Sequence, residues 1–327
     1  MNTNFNILWL EDKKEAFDAH SKLVKTRIEN DLFLDVHIHH ESTLQRALDQ
    51  NLHRFDLIVV DYDLGGETFG TELVNKIKSE PVLTRVVFYS SQFEQLDGIV
   101  DKGLLLGVNA ASRREVEDII CDVAHQIITN LLDADSLRGF FLAGVNQIEL
   151  KMNELIEKSA SDQSLSSKIN MQKLYKKYRK STLDFLKDDI NKFSQIEAIN
   201  SLINYNNFTF SKRARWIFHI LLPLLEIDER KKLQAAFDRA RVNAESYLAH
   251  FNEQVIDRRN ILAHQSTFNV IKLFARLLGL EVKDDIEEGS KEAKALEASL
   301  DYMQVYLKLS ALLQAQRNIL SSALEVV

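Results

Sequence analysis

At 327 residues the chain is long enough for about two domains, and 45% hydrophobic content is ample for a core in each. A net charge of −7 excludes a broadly basic polyanion binder, so any nucleic-acid site has to be local. The single cysteine, Cys121, excludes an intrachain disulfide and suits a reducing cytoplasm; no apolar run reaches membrane-spanning length, and residues 1–6 lack the pattern of a secretory signal.

Six of the ten glycines (Gly65, Gly66, Gly70, Gly98, Gly103, Gly107) fall in the first third, and Pro81 and Pro223 are the only prolines. That split predicts a turn-rich α/β start and a helical remainder. Phe5 to Leu10 reads as a buried strand, 13–30 as a helix, 32–39 as a strand and 43–52 as a helix. A strand from Phe55 to Val60, a helix over 70–80 and a strand over 84–89 follow. The series closes with a helix over 93–102, a strand over 108–111 and a helix over 113–132. Five alternations predict a doubly wound, five-stranded parallel sheet over residues 1–132, a fold that binds ligands at the carboxyl ends of its strands.

Polar residues gather at those ends. Glu11 and Asp12 end the first strand, Asp61 the third and Ser90 the fourth. Three carboxylates and a hydroxyl on one rim make a hard-oxygen site suited to Mg2+, which would offset their repulsion and leave one carboxylate free to attack a phosphoryl donor. Over residues 4–132 this pattern resembles the receiver domain of response regulators. The resemblance rests on the acidic pair Glu11-Asp12, on Asp61 in Leu57-Ile58-Val59-Val60-Asp61, on Ser90, and on Gly65-Gly66 in the turn after Asp61. It implies Asp61 as phospho-acceptor, Ser90 as the phosphate-binding hydroxyl, and Mg2+ on Glu11, Asp12, Asp61 and the backbone of Asp63. It also implies a histidine kinase or sensor as partner. Two features depart from it. The lysine expected at the end of the fifth strand is missing, with Ser112 or Arg113 in its place, and Asn109 or Ala110 stands where an aromatic switch residue belongs. Separately, His37 and His39 alternate on a strand and share a face that could ligate a metal with further help, while His40 faces the other way.

Asp133, Asp135 and Ser136 interrupt the pattern and open an all-helical region, 133–327. Leu137, Phe141, Val145, Ile148, Met152 and Leu155 form one stripe, and Met171 to Phe193 predicts a second long helix beyond a Ser/Asp-rich loop at 159–167. Lys173 to Lys180 mixes tyrosines with cations, and Lys212, Arg213 and Arg215 precede Trp216; both clusters could track an RNA backbone. Leu233, Phe237, Ala240, Ala244, Tyr247, Phe251 and Val255 then recur at steps of three and four, predicting one amphipathic helix whose stripe runs on to Arg259 and Leu262. Asp284 to Gly289 lies in a charged loop, and 293–324 predicts a last helix that is apolar on more than one side.

The end of that stripe holds Arg258-Arg259-Asn260-Ile261-Leu262-Ala263-His264. Cutting RNA without a metal needs a proton shuttle near neutral pH and fixed positive charge on the phosphorane; histidine and arginine supply them. The stretch resembles the Arg-x4-His motif of HEPN ribonucleases, all-helical domains in which two copies form one metal-independent site. The resemblance implies Arg259 and His264 as catalytic, with Asn260 as the polar residue after the arginine, no cofactor at this site, and a setting in toxin or antiviral defence. One straight helix would aim Arg259 and His264 about 140° apart. Either the helix ends between them, or a homodimer through the helical domain completes the site.

The expectation is therefore a cytoplasmic, phosphorylation- or partner-regulated endoribonuclease acting on an RNA substrate. The rival is a non-enzymatic two-component signalling adaptor with a helical dimerisation domain. A phosphotransfer helix using His250 or His264 ranks third, because neither histidine is followed by the small and basic residues such helices carry.

Overall fold

The computed structural model of the chain describes residues 4–64, 73, 84–91, 108–162, 173–177, 209–228 and 231–327. These residues form two compact units, Met1–Asp133 and Ala134–Val327.

The first unit runs β1 (Asn4–Leu10), α1 (Lys14–Leu32), β2 (Asp35–Glu41), α2 (Leu44–Leu48), β3 (Leu57–Asp61), β4 (Arg85–Ser90), β5 (Val108–Ser112) and α3 (Val116–Leu131). The five strands form one sheet in the order β2-β1-β3-β4-β5, with every pairing parallel. Side chains alternate along a strand, so the sheet has two distinct faces. Leu8, Leu10, Ile58, Val60, Val86 and Phe88 bury one of them against Leu44 and Ala47 of α2. Trp9 lies on the other, edge-on to Phe17 of α1 at 5.8 Å. The central strands are buried on both faces, which is why they read as unbroken apolar runs.

The second strand begins three residues later than the sequence predicts. α1 continues to Leu32, which is buried, and Phe33 then turns through φ +54° before Asp35 starts the strand. His37 and His39 are exposed on this edge strand and contact Asp35 and Arg54, respectively. Among the described residues no group of potential metal ligands includes either histidine. His40 turns inward, stacked on Phe17 at 4.0 Å with Nε2 2.8 Å from the Glu11 carbonyl. Gly65-Gly66 and the helices expected over 70–80 and 93–102 fall outside the described residues, apart from the helical Leu73.

The second unit is helical: α4 (Ala134–Ser161), α5 (Phe210–Ile227), α6 (Lys232–Ala240), α7 (Tyr247–Phe251), α8 (Arg258–His264), α9 (Thr267–Leu278), α10 (Lys291–Ala298) and α11 (Tyr302–Val326). The stripe from Leu137 to Leu155 is buried throughout. α4 packs closely on α11, and a Cβ at Gly144 would collide with the Leu313 side chain. Arg213 of α5 crosses to α4, where Nε donates to Asn153 Oδ1 at 2.8 Å and Nη1 lies 3.1 Å from Glu149 Oε1.

Two sequence expectations fail here. The stripe from Leu233 to Val255 does not lie on one helix. The chain leaves α6 at Arg241 (φ +54°) and turns through Asn243, whose Oδ1 accepts the Glu245 N–H at 2.9 Å. It re-enters as α7 and passes through a π-helical turn, Asn252–Asp257, into α8. The last helix is likewise split, because Asp301 caps α11 by accepting the Gln304 N–H at 3.0 Å. The second long helix expected from Met171 to Phe193 lies outside the described residues except for the helical 173–177. Among the described residues no helix is long and apolar enough to cross a membrane.

Candidate functional site

Strand alternation and register assemble the acidic site of the first unit. Trp9 and Glu11 project from one face at the end of β1, as Val59 and Asp61 do from β3. Asp61 pairs with Tyr89, and Tyr89 with Ala111, so Arg113 falls two residues further on the same row. Glu11, Asp61 and Tyr89 are fully buried. One ligand atom from each of Glu11, Asp12 and Asp61 lies within 4.8 Å of the others.

Burying two carboxylates side by side is costly unless donors and counter-charge surround them. Glu11 Oε2 accepts from the Tyr89 hydroxyl at 2.6 Å, and Oε1 from the Lys13 N–H at 3.1 Å. Asp61 Oδ1 accepts the Asp63 N–H at 3.2 Å. Arg113 Nη2 donates to Asp61 Oδ2 and lies 3.5 Å from Glu11 Oε2. Arg113 thus supplies positive charge beside the two carboxylates. Ser112 turns away and donates to Glu115 Oε2 at 2.6 Å.

Burial and the neighbouring Glu11 charge push the Asp61 carboxyl up to about 7, against the opposing pull of Arg113. Burial lowers the Arg113 guanidinium, but Asp61 and Glu11 outweigh it and hold the group above its ordinary value. Burial, with the Glu11 bond, raises the Tyr89 phenol well above the usual tyrosine range.

The fit to a divalent cation can be tested on the donors. The set is all oxygen, and Asp12 Oδ1 is buried with no hydrogen-bond partner among the described residues. An orphaned carboxylate oxygen beside two more carboxylates suits a hard cation. Glu11, Asp12 and Asp61 are brought together as expected. Ser90, buried at the same edge, follows Tyr89, and its carbonyl accepts the Arg113 N–H at 3.0 Å. Tyr89 escaped the sequence reading because an aromatic in an apolar strand reads as core. The usable signal was its parity with Asp61, which only the register reveals.

The second cluster is on α8. The helix is unbroken from Arg258 to His264, so of the two alternatives the helix does not end between Arg259 and His264, and the two residues diverge by about 140°. Arg259 is half-buried, and its Nη1 donates to Asn260 Oδ1 at 3.3 Å. Asn260 therefore turns toward the arginine. His264 is exposed, and its ring has no hydrogen bond among the described residues. Just beyond it, the Gln265 carbonyl accepts from Arg138 Nη2 of α4 at 2.7 Å, tying down the end of the motif helix. Arg258, unselected by the sequence reading, donates to Gln254 Oε1 within the π turn, and burial lowers its pKa from the ordinary arginine value. π turns inside helices recur at functional sites.

No protein-family model matches the chain, and no curated protein matches it.

Proposed function

We propose that the chain is a phosphorylation-responsive ribonuclease, with a receiver-like input unit and a HEPN-like output unit. The observation that carries the input half of this reading is the convergence of Glu11, Asp12 and Asp61 beside Arg113 at the carboxyl edge of a parallel sheet. Asp61 is the acceptor. Asp12, Glu11 and the Asp63 backbone would hold Mg2+, which would supply charge to neutralise the cluster and the incoming phosphoryl oxygens. Arg113 contacts the acquired phosphate, and Ser90, on the other parity of its strand, supports Arg113 through its carbonyl. A histidine kinase or sensor protein delivers the signal.

In the output unit, His264 moves protons and Arg259 stabilises the phosphorane, with Asn260 holding the guanidinium. Support comes from the exposed imidazole at the end of α8 and from the π turn that precedes the helix. Because the helix is straight through the motif, the site is composite, formed by a homodimer through the helical unit. The setting is cytoplasmic, in toxin or antiviral defence.

The deciding experiment treats the protein with a small phosphoryl donor and Mg2+, then assays RNA cleavage in chelator. Mass increase at Asp61 and 2′,3′-cyclic phosphate products are the expected results. Absence of both removes the reading. A second reading, a signalling adaptor without catalysis, is favoured by the unsupported His264 ring. It predicts acceptance at Asp61 with no cleavage.

A further inference from the structure

An open groove of about 310 Å3 runs beside the motif helix. Ile261 and Gln265 form one end; Asn269, Lys272 and Arg276 continue it along α9. Residues at steps of three and four stand on one face of a helix, so these donors form a row. Gln265 directly follows His264, and its Oε1 accepts the Asn269 amide at 3.0 Å. The row of donors therefore starts next to the proposed proton shuttle and leads away from it.

The groove is also lined by Asp284, which belongs to an acidic strap. Residues 280–288 carry Glu281, Asp284, Asp285, Glu287 and Glu288 against a lone Lys283. The strap is bounded by Gly279 at φ +81° and Gly289 at φ +82°, a backbone region that side chains resist. Two α9 cations hold it. Arg276 pairs with the Asp284 carboxylate, and Lys272 Nζ donates to the Asp284 and Ile286 carbonyls, both at 3.1 Å. The Asp284 side chain is 92% exposed and that of Arg276 52%. An ion pair that open to water is weakly held and readily exchanged for another anion. Lys272 meets carbonyl oxygens there, so of these two cations Arg276 is the one paired with the carboxylate.

We infer that the groove binds the phosphates of an RNA strand next to the Arg259–His264 motif, with Asp284 as an internal anion that the RNA displaces. The inference rests on the ribonuclease reading of α8, and it names the path of that substrate and a brake on its entry.

The test uses full-length protein carrying His264→Ala, so that the strand stays whole. Binding of a fluorescently labelled single-stranded RNA is measured in chelator across a salt series. Asp284→Asn should tighten binding by about fivefold, the upper range for releasing one exposed ion pair. Lys272→Gln and Arg276→Gln should each make the dependence of log affinity on log salt shallower by about 0.7, the loss of one phosphate contact on a single strand. A role for the strap in folding alone would shift the thermal midpoint and leave this slope unchanged. Unchanged or weaker binding in Asp284→Asn overturns the inference, and so does a slope indifferent to both cations. Cleavage by unsubstituted protein is scored separately. Groove-dependent binding without cleavage sinks the ribonuclease reading and keeps the groove as an RNA-binding surface.

Discussion

The Tyr89 phenol is held between Trp9 and Glu11: it accepts from the indole Nε1 at 3.0 Å and donates to Glu11 Oε2 at 2.6 Å. The three groups sit on one face of the sheet because β1 and β4 are both parallel to β3, with Trp9 opposite Val59 and Asp61 opposite Tyr89. The chain thereby fixes the orientation of a buried carboxylate with a hydroxyl rather than with solvent.

Tyr89→Phe keeps the ring and removes that hydroxyl. It leaves the indole N–H unpaired and Glu11 short of a donor. The cost should be about 1–3 kcal/mol, the usual penalty for stranding a buried polar partner. Denaturant titration followed by tryptophan emission measures it. A midpoint equal to wild type would show that Tyr89 acts only as apolar filling.

Asp61 gives the first unit a pH signature. Burial and the Glu11 charge push its carboxyl up to about 7 in the folded chain, against an ordinary 3.8. Between those values the folded state holds a proton that the unfolded state has released, so stability falls as pH rises through this window. The contribution is complete below about 4 and is lost once pH passes 7. The size is on the order of 2–4 kcal/mol by linkage. Asp61→Asn should remove this slope, so the wild-type-minus-variant difference in unfolding free energy tracks the titration. A difference curve flat from pH 4 to 7 would contradict the burial argument.

Arg113→Met deletes the cation that Glu11 and Asp61 share. Without divalent cation the variant should lose about 2–3 kcal/mol, less than a fully enclosed pair because the arginine side chain is 25% exposed. Millimolar Mg2+ should restore more stability to the variant than to wild type, since the ion supplies the missing charge. Thermal melts with and without Mg2+ make the comparison. An equal Mg2+ shift in both proteins would detach Arg113 from the cation site.

Much of the first unit was legible because strand ends are marked by chemistry. Glu11, Asp12 and Asp61 interrupt apolar runs, and a carboxylate at that place has few roles in a core. Arg113 was one of two options, since the sequence offered Ser112 equally. Only the register shows that Arg113 shares the face of Asp61 while Ser112 pairs with Ser90 on the other. The second unit misled for a different reason. Leu233 and Phe237, then Tyr247, Phe251 and Val255, keep helical spacing across a turn that is not helical, because both segments bury the same kind of face. The local hydrogen bonds of Asn243 and Ser246 set that turn, and a periodicity count weighs them too little.

The geometry of α8 yields a quantitative prediction about assembly. Arg259 and His264 diverge on one unbroken helix, so a single copy cannot aim both at one phosphate. A two-fold axis beside the helix can bring Arg259 of one protomer to His264 of its partner. Arg259→Ala and His264→Ala homodimers should then both be inactive, each lacking one half of every site. In a mixed dimer the shared site keeps one intact arginine and one intact histidine. Equal mixing places about half the protomers in mixed dimers, so up to about half of wild-type cleavage should return. A site built within one chain would return none. Light scattering on the same samples completes the test, because a monomeric wild-type protein that still cuts RNA would exclude the two-fold site.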